Sequence, residues 1–193
     1  MADDLDLIYW DACIFYEHLK QEQTDQWKLQ AVDECLLANK ERLNRICTSA
    51  VTHMEVIPAK LPLGKEQEYW GLFNSVYFYD IAIDRSVVAL SREIRAFYYQ
   101  SQTGDVQAKI MGLGDAIHLA TAVIEEADVF YTRDGKKKGG NIPLIGLPER
   151  SPGGKLCGEY DLRIVSPIAI QGTLHLPKDD PEQPAEIEPQ PAK

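Results

Sequence analysis

No stretch of this chain stays apolar for the roughly 18 residues that a membrane-spanning helix needs, and the opening Met-Ala-Asp-Asp-Leu-Asp has neither the basic region nor the apolar run of an export signal. The expectation is a cytoplasmic protein with no membrane association. Cysteine is sparse: Cys13, Cys35, Cys47 and Cys157 show no CxxC spacing and no paired histidines nearby, which argues against a zinc site or a redox motif and leaves buried thiols in a reducing compartment. For Cys13, two residues from Asp11, packing is favoured over reactivity, because no histidine is placed in sequence to activate the thiol. Positive charge is also in deficit. With 20 Lys and Arg against 30 Asp and Glu, the net charge of -10 argues against broad nonspecific affinity for nucleic acid, which depends on basic side chains displacing phosphate counterions. A nuclease is still allowed, since part of the acidity sits in a tail and part in a cluster whose field a bound cation would reverse. A basic protein partner is the other consequence of such a balance.

What is present is enough for a core. A chain of 193 residues, 45% hydrophobic and 26% charged, reads as one domain with a peripheral extension. Apolar runs at 5–10, 45–48 and 77–83 have strand character, and Val129-Phe130-Tyr131-Thr132 is a further strand. Between them, helical spacing covers 12–20, 25–44, a capped turn at 49–56 that Pro58 helps to end, 65–74, a helix capped by Asp84 that runs to about residue 99, and 115–122. Residues 141–147 and 161–165 are expected as short strands. Strands alternating with helices imply right-handed crossovers and a mainly parallel central sheet covered on both faces, a three-layer α/β/α sandwich. The expected division is a domain over 1–147, an extension over 148–176 packed on or beside it, and a disordered tail over 177–193, where proline and carboxylates dominate.

Four acids fall at element boundaries of this pattern. Asp11 and Asp134 leave the ends of two strands, Glu55 lies on the helical turn after a third, and Asp115 opens a helix. In an open parallel sheet, ligands bind beyond the carboxyl ends of the strands. Carboxylates gathered there repel one another and raise each other's pKa unless cations compensate them, and hard oxygen donors select magnesium or manganese. Such ions bind phosphate oxygens and acidify a water, so no side-chain nucleophile is needed.

The blocks Ile8-Tyr9-Trp10-Asp11-Ala12-Cys13, Ser49-Ala50-Val51-Thr52-His53-Met54-Glu55, Gly114-Asp115-Ala116-Ile117-His118-Leu119-Ala120-Thr121-Ala122 and Tyr131-Thr132-Arg133-Asp134 resemble, in order and separation, those of the PIN-domain family, and over roughly residues 5–147 those of its VapC-like ribonuclease toxins. The resemblance implies a metal-dependent endoribonuclease that hydrolyses RNA phosphodiester bonds with Mg2+ or Mn2+ held by Asp11, Glu55, Asp115 and Asp134. Thr132 matches the family's hydroxyl residue and is expected to orient a carboxylate or a water. The resemblance also implies an antitoxin protein partner and a homodimer. The chain departs from the family in its well-developed helical region over 22–44, in the segment after Leu147, and in having Lys136-Lys137-Lys138 where an aromatic residue often follows. Two rivals remain. One is a noncatalytic PIN-like module that binds RNA or protein; the other, a phosphatase with Asp11 as nucleophile, lacks the second aspartate two positions on.

Other residues carry plainer readings. Asp84 is a helix cap and Asp80 a solvated strand residue. His118, among apolar neighbours, and His53 are taken as structural, since no second histidine stands at ligand spacing. Arg133, Lys136, Lys137 and Lys138 follow the cluster closely enough to contact the phosphates of an RNA strand, with a solvated basic loop as the alternative.

Overall fold

The computed structural model describes residues 5–20, 26–100, 110–135 and 142–168. Its elements run β1 (Leu7–Trp10), α1 (Ala12–Lys20), α2 (Gln26–Lys40), β2 (Arg45–Ser49), α3 (Thr52–Glu55), α4 (Lys65–Leu72), β3 (Phe78–Ile81), α5 (Arg85–Gln100), α6 (Leu113–Ile124), β4 (Val129–Tyr131) and β5 (Arg163–Val165). The strands form one five-stranded sheet in the order β3-β2-β1-β4-β5, and every pairing is parallel.

The alternation of side chains along β1 builds both cores. Leu7 and Tyr9 point to one face, where they meet Val87 and Ile94 of α5 and Leu119 and Ala120 of α6. Ile8 and Trp10 point to the other, against Ile14 and Phe15 of α1, Val32 and Leu36 of α2 and Tyr69 of α4. A strand buried on both faces reads as a continuous apolar run, which is what the sequence has here. The result is the three-layer α/β/α arrangement that the sequence predicts.

The strand order also places a crevice. From β1 the chain moves outward to β2 and β3 on one side, then returns through α5 and α6 to lay β4 and β5 on the other. The reversal falls between β1 and β4, and the carboxyl ends of neighbouring strands that diverge in this way leave a cleft for a ligand.

Two predicted elements differ from those observed. The helix expected over 25–44 stops at Lys40, because Arg42 turns into the left-handed region at φ 61° while Leu43 N donates to Ala38 O and Arg42 N to Asn39 O, a helix-ending Schellman turn. Asn39 secures it by donating through Nδ2 to Asn44 O at 3.2 Å and to Tyr77 O at 2.7 Å. The strand expected over 141–147 is a turn over its described part, residues 142–147. Its apolar residues Ile142, Leu144 and Leu147 are buried, and Gly146 at φ 77° supplies the reversal. The strand expected within 161–165 forms and pairs with β4 at the sheet edge. The lysine run 136–138 and the tail over 177–193 lie outside the described residues.

Candidate metal centre

Asp11 follows β1 directly and is buried; its backbone N donates to Tyr131 O at 3.0 Å, which ties the end of β1 to the end of β4. Oδ2 of Asp11 accepts from the Thr132 hydroxyl at 2.6 Å and from the Cys13 thiol at 3.1 Å. Thr132 in turn accepts from the backbone N of Asp134 at 3.0 Å. The hydroxyl at position 132 therefore holds one oxygen of the Asp11 carboxylate.

Glu55 is brought in by the end of β2. Thr48 donates to Trp10 O at 2.7 Å and lies 2.6 Å from the Thr52 hydroxyl, so the strand end, its neighbour β1 and the first residue of α3 are joined. At the other end of α3, Tyr16 donates to the backbone O of Glu55 at 2.8 Å and accepts from Ile57 N at 2.8 Å. The short helix is pinned at both ends, with the Glu55 carboxylate directed at α6.

On α6 two residues face this carboxylate. His118 Nε2 is 2.9 Å from Glu55 Oε2 and 3.7 Å from Asp11 Oδ1, and its Nδ1 is 2.8 Å from the Tyr9 hydroxyl. A carboxylate only accepts, so Nε2 carries a proton towards Glu55 whether the ring is neutral or charged. Burial disfavours the imidazolium, but the Glu55 hydrogen bond and the charges of Asp11, Glu55 and Asp115 outweigh it and raise the pKa of His118. Gly114 is the other contact. A Cβ built there would run into the Glu55 carboxylate, so only glycine admits this approach. The helix expected to open at Asp115 begins two residues earlier, at Leu113, so Gly114 lies inside α6.

Asp115, in the first turn of α6, completes the group. Its carboxyl is pushed up to about 6, first by burial and then by the charges of Asp11, Asp134 and Glu55, with His118 acting in the opposite sense. The charges of Asp11, Glu55 and Asp134 thus all reach the Asp115 carboxyl. The tightest set of ligand-type atoms among the described residues is Asp11, Glu55 and His118, within 4.8 Å of one another. The histidine is the member the sequence reading missed. It is buried and hydrogen-bonded, as a structural histidine would be, but its partner is a site carboxylate; the Asp115-x-x-His118 spacing, which puts both on one helical face, was the available signal.

A hard divalent cation fits these donors. Asp11 and Glu55 offer oxygens within 4.8 Å of one another and of His118, and burial followed by the charges of Asp11, Asp134 and Glu55 raises the pKa of Asp115 beside them. His118 in this arrangement serves as the hydrogen-bond donor that orients Glu55; to join an ion's shell, Nε2 would have to give up its proton.

Two expectations around the centre need correction. Arg133 does not stand open to a phosphate: its guanidinium pairs with both oxygens of Glu17, at 2.6 and 3.0 Å, and donates to Ser166 Oγ and to Pro167 O. It fastens α1 to the end of β5. Cys13 is half-buried and does more than pack, since it bonds to Asp11 and accepts from Arg133 N at 3.1 Å. Burial and the Asp11 charge push its thiol pKa well up, so it is protonated and not an activated nucleophile. His53, by contrast, is structural as expected, 2.6 Å from the Tyr69 hydroxyl and stacked on Trp70. Asp84 caps α5 through Val87 N at 2.9 Å, and Asp80 is exposed.

Neither protein-family models nor curated proteins give a match to this chain. Among solved structures it is similar to a chain of a toxin-antitoxin complex from Klebsiella pneumoniae, at 22% identity and a TM-score of 0.50, over 84% of this chain and 99% of that one. It is also similar to a chain in the structure of VapBC2 from Rickettsia felis bound to a DNA fragment from its promoter, at 19% identity and a TM-score of 0.45, over 65% of this chain and 86% of that one. The first likeness shows a shared fold. No helix among the described residues is long and apolar enough to cross a membrane.

Proposed function

We propose that this chain is a metal-dependent endoribonuclease of the VapC-like PIN type, the toxin of a toxin–antitoxin pair, that hydrolyses RNA phosphodiester bonds. The observation that carries the proposal is the meeting of Asp11 and Glu55 with His118, whose ligand atoms lie within 4.8 Å of one another beside the β1/β4 crevice, with the Asp115 carboxyl pushed up to about 6 by burial and then by the charges of Asp11, Asp134 and Glu55. Such repulsion costs stability unless a cation relieves it.

Asp11, Glu55 and Asp115 would hold the ion, and Asp134 would complete the negative rim. Magnesium or manganese bound there supplies Lewis acidity towards phosphate and water oxygens. The protein's own part is to fix the carboxylates: Thr132 and Cys13 hold Oδ2 of Asp11, and His118 holds Glu55. Lys136, Lys137 and Lys138, directly after the cluster in sequence, would supply the positive charge that an RNA strand needs on entry to an acidic protein. The structural likeness to a toxin-antitoxin complex supports an antitoxin partner, and a homodimer follows from the same family reading.

The test is cleavage of a mixed RNA pool by purified protein in manganese, with Asp11→Asn in parallel. The parent is expected to cleave and the variant to lose at least about 100-fold in rate, as expected when a charge-stabilising group at a reacting phosphate is removed. Manganese binding without cleavage by the parent would instead identify a noncatalytic PIN-like module.

A further inference from the structure

Two successive backbone amides beyond β4 each hold one hydrogen-bonding side chain, and both side chains converge on a single oxygen. Asp134 N donates to Thr132 Oγ1, whose hydroxyl donates to Asp11 Oδ2. Arg133 N donates to Cys13 Sγ, whose thiol donates to the same Oδ2. Sγ and Oγ1 lie 3.5 Å apart, side by side over the carboxylate. The two donors occupy Oδ2 and leave Oδ1, the oxygen nearest His118 Nε2, facing the cluster.

We propose that Cys13 is a positioning residue for the metal centre: its S–H bond, paired with the Thr132 hydroxyl, commits Oδ2 of Asp11 to the protein and presents Oδ1 alone to the ion. The proposal rests on the metal-centre reading above. A carboxylate with both oxygens free can rotate about its Cβ–Cγ bond or chelate through both; one with Oδ2 doubly bonded offers a single oxygen in a set direction. Cys13 is suited to this because the Arg133 amide fixes the sulfur from behind, and Arg133 is itself fastened to Glu17. A residue that only filled space would need no proton on its side chain.

Two measurements test this. The first is the infrared S–H stretch of metal-free protein, with the Cys13 band identified by its loss in Cys13→Ser. Hydrogen bonding lowers that frequency, so the parental band is expected low and is expected to rise in Asp11→Ala. The second is manganese affinity by calorimetry. Cys13→Val, which keeps an apolar side chain and loses the donor, and Cys13→Ala are expected to weaken binding by about 10- to 100-fold, the usual effect of removing a partner that orients a ligand. Cys13→Ser, which keeps a donor, is expected to stay close to the parental value. A merely structural cysteine would change the melting temperature of these variants without this division between Ser and Val. An S–H band indifferent to Asp11→Ala, or parental manganese affinity in Cys13→Val, overturns the proposal alone. A parent that binds no manganese overturns the metal centre beneath it, so the two failures are told apart.

Discussion

His118 Nε2 lies 2.9 Å from Glu55 Oε2 while its Nδ1 lies 2.8 Å from the Tyr9 hydroxyl, so one buried imidazole links a core tyrosine to a site carboxylate. Removing the ring takes one hydrogen bond from the buried Tyr9 hydroxyl and leaves it those to Ser49 and Thr48. His118→Leu is therefore expected to cost about 0.5–1.5 kcal/mol through this contact, the usual net worth of an intramolecular hydrogen bond. Tyr9→Phe added to it removes the hydroxyl that has lost this bond, so the double variant should lose less than the sum of the two single variants. Urea unfolding of the two single variants and the double variant checks this, and simple additivity would show that the Tyr9–His118 contact carries no energy.

Asp115 gives a pH dependence with a definite sign. Its carboxyl is held up to about 6 in the folded chain, above the ordinary carboxylate value of the unfolded chain, so between the two values the folded state holds more proton. Its contribution is fully present below the unfolded value and is lost as pH rises towards 6. In chelator, Asp115→Asn should thus be more stable than the parent at pH 8, by on the order of 1–3 kcal/mol, with the gap closing near pH 4. Loss of a charge that suits the first turn of α6 would offset this by less than about 1 kcal/mol. A variant less stable than the parent at pH 8, with a gap that does not change with pH, would count against a crowded acidic cluster.

Two helical glycines should respond in opposite ways. Gly71, in α4, has open space where a Cβ would sit, so Gly71→Ala should stabilise the protein by about 0.5–1 kcal/mol. Gly114 has the Glu55 carboxylate there, so Gly114→Ala should gain nothing in stability and weaken manganese binding as Glu55 is displaced. Thermal unfolding and metal titration of the pair decide it; equal behaviour of the two would show that Glu55 does not rest on α6.

Much of this arrangement was legible in the sequence because strands buried on both faces have few other ways to look. Leu7-Ile8-Tyr9-Trp10 and Val129-Phe130-Tyr131 could be placed as buried strands, and an acid beyond each pointed to a crevice; that the two strands are neighbours came from the structure. The Asp84 cap was legible for a local reason, a short carboxylate three residues before the amide it accepts from. What escaped depended on contacts between distant segments. The apolar run through residues 142–147 describes a buried turn as well as it would a strand. The end of α2 was decided by Asn39 reaching Tyr77, 38 residues away. His118 looked like a core residue because it is one; its second nitrogen meets Glu55 only after α3 has packed against α6.

The central claim is that acids from separate segments share one cation. The most direct measurement is the anomalous difference density of a crystal soaked in manganese. The account predicts a peak bounded by the carboxylates of Asp11, Glu55 and Asp115, which disappears in Asp11→Asn. Manganese bound elsewhere on the surface, with no peak among these three, would contradict it.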